Sequence, residues 1–357
     1  MSEQVRAALG TIVDGRTLSV DEARAAMGSV MDGEATAAQL AALLMGLRMR
    51  GETVEELAGF ATAMRERVVR VDAPADAIDV VGTGGDAGGT FNISTAAALV
   101  VAAAGVPVAK HGNRAVTSRS GSADVLDSLG VRIDHDAASA SVALHENGFA
   151  FLFAPTFHPA MRHAGPTRRE IGVRTAFNLL GPLTNPAGTR RQLLGVADPA
   201  VAMRLASVAQ LLGTERAFIV HGAGVDELPL DGTGIVHDVS PDGIEQRFID
   251  AAAVGLQPTS TSRLGGGDPD DNARIVEAVL RGEPGARRDV VLLNAGAALQ
   301  VAGVVDDLLT GVERAALTID AGLTAELLER LREERRTAVG DARTAAAETG
   351  TPTELAR

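Results

Sequence analysis

The chain has no cysteine, no tryptophan and no tyrosine, and of its 33 basic residues only Lys110 is a lysine. Without cysteine there is no disulfide, no thiol nucleophile and no thiolate metal site. Without tryptophan or tyrosine, aromatic stacking rests on nine phenylalanines. No apolar run reaches membrane-spanning length, and the first residues do not read as a secretory signal. A bacterial-type cytoplasm is the expected compartment. The formal net charge is −13, which argues against general nucleic-acid binding, because a phosphate backbone needs a basic face. A drift toward arginine accounts for the other basic residues; it does not account for the exception at 110.

What is present is a large apolar fraction, 46% of 357 residues, enough for two domains or one large one. The organising stretch runs from Asp79 to Gly130. Ile78 to Val81 is a short apolar run with the character of a buried parallel strand. Five glycines follow between Gly82 and Gly89. Glycine admits positive φ and lets a ligand approach the main chain, and bare amides in such a loop make a concave anion site. Asn92, Ser94 and Thr95 precede the strong helix former Ala96 to Ala104, and one of them is the expected N-cap. More amides and the positive dipole end then point the same way. Gly105 ends that helix, Val106 to Ala109 is the next strand, and Lys110 and Arg114 are expected to supply charge from the loop after it.

Gly82-Thr83-Gly84-Gly85-Asp86-Ala87 fits the relaxed dinucleotide fingerprint, but no acidic residue occurs between Asp86 and Asp124, where that fingerprint needs one. The P-loop spacing is also missing around Lys110. The ligand expected is phosphate-rich, and neither a dinucleotide nor a P-loop nucleotide.

Upstream the pattern is helical. Ser19 with Glu22, Thr36 with Gln39 and Thr53 with Glu56 each fit a capping box, before segments with helical apolar spacing such as Leu40, Leu43, Leu44 and Leu47. Residues 1–71 read as a small helical domain, followed by the linker Asp72 to Asp76. Beyond it strands and helices alternate, which implies an α/β domain with a mainly parallel sheet. Ile235 to Phe248 reads as a hairpin excursion. From Pro155 to Pro186 the alternation breaks into short helices, as a segment returning to the helical domain would. The expected division is 1–71 with a returning segment at about 159–186, then 77–158 with 187–340 as the α/β domain. The tail from 341 to 357 is expected to be loosely held. No internal repeat is evident.

The ordered series Gly-Thr-Gly-Gly-Asp (82–86), Asn-Ile-Ser-Thr (92–95), Lys-His-Gly-Asn-Arg (110–114) and Ser-Gly-Ser-Ala-Asp (120–124) resembles the anthranilate phosphoribosyltransferase family, from about Leu18 to the Glu333 region. The resemblance implies a nucleoside phosphorylase/phosphoribosyltransferase-like fold with the site between its two domains. It also implies transfer of the phosphoribosyl group of 5-phosphoribosyl 1-pyrophosphate to the amine of anthranilate, the second step of tryptophan biosynthesis from chorismate, with Mg²⁺ and a homodimer. By the same resemblance, phosphoribosyl pyrophosphate falls to Gly82, Gly85, Asp86, Thr90, Asn92, Ile93, Ser94, Thr95, Ser122 and the run Lys110, His111, Gly112, Asn113, Arg114, Ala115, Val116, Thr117 and Ser118. Anthranilate falls to Gly82, Asn113 and Arg168, Mg²⁺ to Ser94, Asp226 and Glu227, and the catalytic roles to Lys110 and Asn113.

Several of these assignments also make chemical sense. An aromatic carboxylate suits a planar bidentate guanidinium such as that of Arg168, although adjacent arginines usually face solvent. Asp226 and Glu227 follow an expected strand, where paired carboxylates can share Mg²⁺ with a diphosphate. Relatives of this type often carry an acidic residue where Ala223 stands. His111 and His158 could relay protons or be structural. A pyrimidine-nucleoside phosphorylase shares the architecture, but its Lys-x-x-Ser-x-Arg-type segment is missing near Arg168. A non-catalytic, nucleic-acid-binding relative is opposed by the acidic charge and the intact Asp226-Glu227 pair. The lone lysine is expected to contact the phosphoribosyl pyrophosphate anion, which would make it one of two targets for an amine-selective acylating reagent.

Overall fold

The computed structural model describes residues 1–84, 89–115 and 119–349, the part beyond residue 340 by its backbone alone. Four helices open the chain: α1 (Glu3–Val13), α2 (Val20–Met31), α3 (Ala37–Arg50) and α4 (Val54–Arg65). All three capping boxes form, each hydroxyl accepting the amide three residues on while the Glu or Gln at that position reaches back. Such a cap contributes about 1 kcal/mol. The last box does more. Glu56 is fully buried, accepts the Leu18 amide at 2.9 Å and pairs with Arg50, so one carboxylate joins the starts of α2 and α4 to the end of α3.

Seven strands form one sheet in the order β3-β2-β1-β4-β5-β6-β7. They are β1 (Ile78–Gly82), β2 (Val108–Gly112), β3 (Phe149–Phe153), β4 (Arg191–Gly195), β5 (Arg216–His221), β6 (Thr233–Ser240) and β7 (Gly243–Asp250). The first five are parallel. The hairpin expected at 235–248 is present but is no excursion: β6 pairs antiparallel with β5 and carries β7 as an exposed edge. Val236 and Val239 are buried, which ties β6 to the sheet, whereas Glu245 and Phe248 on β7 face solvent.

Between the strands run α5 (Ile93–Ala103), α6 (Ser122–Ser128), α7 (Ala137–Asn147), the short α8 (Ala154–Phe157), α9 (Gly165–Ile171) and α10 (Phe177–Leu180), and α11 (Pro199–Leu211). After the hairpin come α12 (Pro269–Leu280), α13 (Ala286–Ala302), α14 (Leu308–Asp320) and α15 (Leu323–Thr349). One apolar core joins α5 and α13 to Val80, Leu193 and Phe218. A second joins Leu194 and Ile219 to α11, to Leu57 and Phe60 of the opening helices, and to Phe177 and Leu180 of the strandless segment. Residues of that segment touch α2, α3 and α4.

The last helix, α15, continues by its backbone to Thr349, into the stretch from 341 onward that is expected to be loosely held. Alanine, glutamate and arginine are strong helix formers. Arg332 and Arg335 moor the helix to the Leu129 carbonyl at 2.7 Å and to Asp127 at 2.7 Å. No helix among the described residues is long and apolar enough to cross a membrane.

Candidate active site

In this strand order β1 has β2 on one side and β4 on the other, so successive connections leave it in opposite directions. Such a reversal opens a crevice at the carboxyl ends of the strands. The two residues facing each other there are Gly82 and Gly195. The loop after β5 crosses directly over them, and Asp226 Oδ2 accepts the Gly84 amide at 2.9 Å. A Cβ on Gly82 would lie 2.5 Å from that oxygen, and one on Gly195 would lie 1.7 Å from the Asp226 carbonyl oxygen. Both glycines are required by close approach.

At the start of α5, Asn92 holds the N-cap position but makes no capping bond. Its amide bonds Ser120, and its oxygen accepts from Asn272 at 2.9 Å. The helix is capped from a distance: Ser94 N donates to Glu227 Oε1 at 3.0 Å. Two neighbouring carboxylates therefore sit on amides of the glycine-rich loop and the helix start, the donors a diphosphate would use. Ser94 is partly exposed, whereas Ile93 is a core residue and Thr95 is fully buried with its hydroxyl unpartnered. A contact from Ile93 would go through its backbone. Among the described residues no group of three or more acidic or histidine ligands could hold a metal. Two carboxylates and the Ser94 hydroxyl are hard oxygen donors, a set that fits Mg²⁺ completed by phosphate oxygens and water.

Two expectations about basic residues are corrected. Lys110 is not in a loop; it lies within β2, is 1% exposed, and its Nζ donates to the Val80 carbonyl at 2.6 Å. Burial lowers its pKa, and Asp79 and Glu227 oppose that shift. Asp79, itself fully enclosed, accepts from Asn185 at 2.8 Å and from the His111 amide at 3.3 Å. Burial raises its pKa to about 6. The strand runs three residues beyond Ala109, to Gly112, because tertiary packing supplies a buried carboxylate for a lysine that would otherwise end an apolar run. Arg114 is on the surface, but its guanidinium pairs with Asp124 at 2.8 Å and Asp127 at 3.2 Å. Asp124 also accepts the Ala115 and Gly121 amides, so it fixes the backbone at both of those residues, and Asn113 nearby is exposed. Thr90, Gly112 and Ser122 are partly exposed in the same region. Gly85, Asp86, Val116, Thr117 and Ser118 lie outside the described residues.

Beside the crevice a cavity of about 680 Å³ is lined by Gly82, Thr83, His111, Gly112, Asn113, His158, Arg168, Arg169, Phe177 and Asn178 among others. Arg168 lies 4.8 Å over the Phe177 ring and has no carboxylate within ion-pair distance among the described residues, while Arg169 is exposed. Burial alone lowers the Arg168 pKa. A guanidinium stacked on an aromatic face keeps its edge donors for a ligand. His111 and His158 pack at 5.1 Å between ring centroids, each with a buried, unpartnered Nε2. Burial holds them at about 3 and about 4, so both are neutral near pH 7. His111 Nδ1 lies 3.1 Å from the Gly181 carbonyl, which makes Nδ1 the donor and leaves Nε2 a bare acceptor. Arg174, which the sequence did not single out, donates to the Gly84 and Thr83 carbonyls at 3.1 and 3.3 Å. It ties the strandless segment to the glycine-rich loop, and nothing in its local sequence signals this.

A helical bundle packed on a mostly parallel sheet, with an anion cradle at the strand reversal, defines a two-part glycosyl transferase. Residues 74–325 match the family "Glycosyl transferase family, a/b domain", and residues 6–68 match "Glycosyl transferase family, helical bundle domain". The anthranilate phosphoribosyltransferase of Azorhizobium caulinodans is 50% identical over 330 residues, 92% of this chain and 96% of that one. The crystal structure of anthranilate phosphoribosyltransferase from Thermus thermophilus is 44% identical, with a TM-score of 0.87 over 92% of this chain and 99% of that one. The Saccharomyces cerevisiae enzyme, solved in complex with PRPP and Mg, is 27% identical with a TM-score of 0.86 over 94% and 99% of the two chains. The chain belongs to the anthranilate phosphoribosyltransferase family.

Proposed function

We propose that the protein transfers the phosphoribosyl group of 5-phosphoribosyl 1-pyrophosphate to the amine of anthranilate, releasing pyrophosphate. The observation that carries this reading is a juxtaposition. A carboxylate receiver, Arg168 on Phe177, lines the cavity that Gly82 also lines, and Gly82 lies against the Asp226 carboxylate of the anion cradle. The two substrates of such a transfer need these two subsites side by side.

The amine nitrogen forms a bond to C1 as the bond from C1 to the diphosphate oxygen breaks, through an oxocarbenium-like transition state. No covalent nucleophile is needed. The chain contributes orientation and charge stabilisation. Gly82, Gly85, Asp86, Thr90, Asn92, Ser94 and Thr95 with the 110–118 run and Ser122 form the donor side. Gly82, Asn113 and Arg168 form the acceptor side. Ser94, Asp226 and Glu227 would hold Mg²⁺, which would supply positive charge to the departing diphosphate. Lys110 acts from behind as a positioning residue, its amine held on the Val80 carbonyl of β1. The proton shed by the product nitrogen is strongly acidic, so a weakly basic imidazole or water suffices to take it.

The residues 1–71 with 159–186 are proposed as one unit and 77–158 with 187–340 as the other, which is supported by the packing of Phe177 and Leu180 among the opening helices. A homodimer in the cytoplasm is proposed. Supporting it, Val13 and Met49 stand 82% and 84% exposed on α1 and α3, near where Gly46 packs on Ile12. Small-molecule substrates rather than nucleic acid are favoured by the net charge of −13. The test is turnover of anthranilate with phosphoribosyl pyrophosphate and Mg²⁺, followed by loss of anthranilate fluorescence against a panel of aromatic amines. A protein without tryptophan adds almost no background. Absence of turnover with anthranilate and the panel would overturn the reading.

A further inference from the structure

A second cavity lies at the opposite, amino-terminal end of the sheet, where the end of α4 meets the segment leading into β4 and the start of β5. Its volume is about 230 Å³, and three arginines line it, Arg65, Arg70 and Arg190, with no aspartate or glutamate. The remaining polar lining is uncharged, including Asn185, Thr189 and Thr214. In a chain of net charge −13 this is an unusual balance. Other arginines nearby have carboxylates: Arg67 pairs with Asp32 at 2.7 Å, Arg191 with Glu215, and Arg204 with Glu52 at 3.4 Å. None of the three lining arginines has one within ion-pair distance among the described residues.

Arg65 is the centre of the case. Its Nε donates to the Leu183 carbonyl at 2.6 Å, and Nη1 approaches the Leu212 carbonyl at 3.5 Å. The guanidinium is thus fixed in place by neutral acceptors, half-buried, with its charge uncompensated. Burial alone acts on it, as burial alone acts on Arg168 in the acceptor cavity. A desolvated, held and unpaired guanidinium is costly unless an anion completes it. The volume is below the range typical of drug-sized ligand pockets, and three positive charges favour a dianion.

We infer that the cavity lined by Arg65, Arg70 and Arg190 binds a small phosphate-class dianion, either free orthophosphate or the phosphate of a small monoester. The site is separate from the anion cradle, but it is not isolated from it. Asn185 lines the cavity and donates at 2.8 Å both to Asp79 and to the Ala109 carbonyl, next to Lys110.

The test is calorimetric titration of the full-length protein, saturated with phosphoribosyl pyrophosphate and Mg²⁺, with inorganic phosphate in one arm and ribose 5-phosphate in the other. Arg70 and Arg190 are exposed and make no side-chain bond among the described residues, so the double variant R70Q/R190Q should fold. Circular dichroism and unchanged turnover check that it does. Binding of phosphate to wild type, weakened at least about tenfold in the double variant, supports the site. A response in the ribose 5-phosphate arm as well assigns it to monoesters, and a response to phosphate alone assigns it to the free ion. Selenate soaked into crystals should give an anomalous peak beside Arg65. No phosphate binding, or equal binding by wild type and R70Q/R190Q, overturns the inference.

Discussion

Asp226 accepts the main-chain amide of Gly84 at 2.9 Å across 142 residues of sequence. Its neighbour Glu227 does the same for Ser94 at 3.0 Å. These two bonds fasten Gly84 and the start of α5 to the loop after β5. A diphosphate bound to these amides, as proposed, would leave the two carboxylates facing the same anion, a repulsive arrangement that a divalent cation would relieve.

The first prediction follows from that exchange. Turnover should need Mg²⁺, and D226N/E227Q should lower it by about 100-fold or more. Donor binding should lose its Mg²⁺ dependence in the variant, which titration of phosphoribosyl pyrophosphate with and without metal measures directly. Full activity in chelator would remove the pair from the mechanism. Gly82→Ala should act similarly, since its Cβ would displace the Asp226 carboxylate.

Arg168→Ala should weaken anthranilate far more than phosphoribosyl pyrophosphate. Loss of a charge-assisted bidentate contact costs about 1.5–3 kcal/mol, or about 10- to 150-fold in affinity. The two Michaelis constants, measured separately, check this. Equal losses for both substrates would mean that Arg168 only packs on Phe177.

Lys110, at 1% exposure, should resist acylation in the native protein. An amine-selective reagent should label only the N-terminal α-amine, and Lys110 only after unfolding, as peptide mass will distinguish. Lys110→Arg should destabilise the fold by about 1–3 kcal/mol, because a wider fork must enter a packed strand. Labelling of Lys110 at native conditions would show that β2 opens to solvent.

The depressed histidines set a pH dependence. In the unfolded chain a histidine titrates near 6.5, whereas His111 and His158 are held at about 3 and about 4. The unfolded state therefore binds protons first as pH falls, and the stability from these groups is fully present above 6.5. It is lost as pH falls toward their folded values, at up to about 1.4 kcal/mol per pH unit for each histidine. Denaturant midpoints between pH 7 and pH 5 should fall less steeply in His111→Asn and His158→Asn than in wild type. Parallel lines for all three proteins would show that the two imidazoles are not buried neutral.

Much of this protein was determined by local sequence. The capping boxes at Ser19, Thr36 and Thr53, the strand before Gly82 and the helix after Asn92 depend on nearest neighbours and on propensity, and they form as their residues dictate. What tertiary structure alone decided was the partner of each group. No local pattern tells that Glu227 caps α5, that Asp226 lies on Gly84, or that Arg174 holds the same loop. Nor does one tell that Arg114 is neutralised by Asp124 and Asp127 while Lys110 is buried beside Asp79. These are long-range pairings, set by which strands the sheet brings together, and a charge's role depends on its partner and on its distance from water. The sequence specifies the groups; only the packed chain specifies which of them remain available to a ligand.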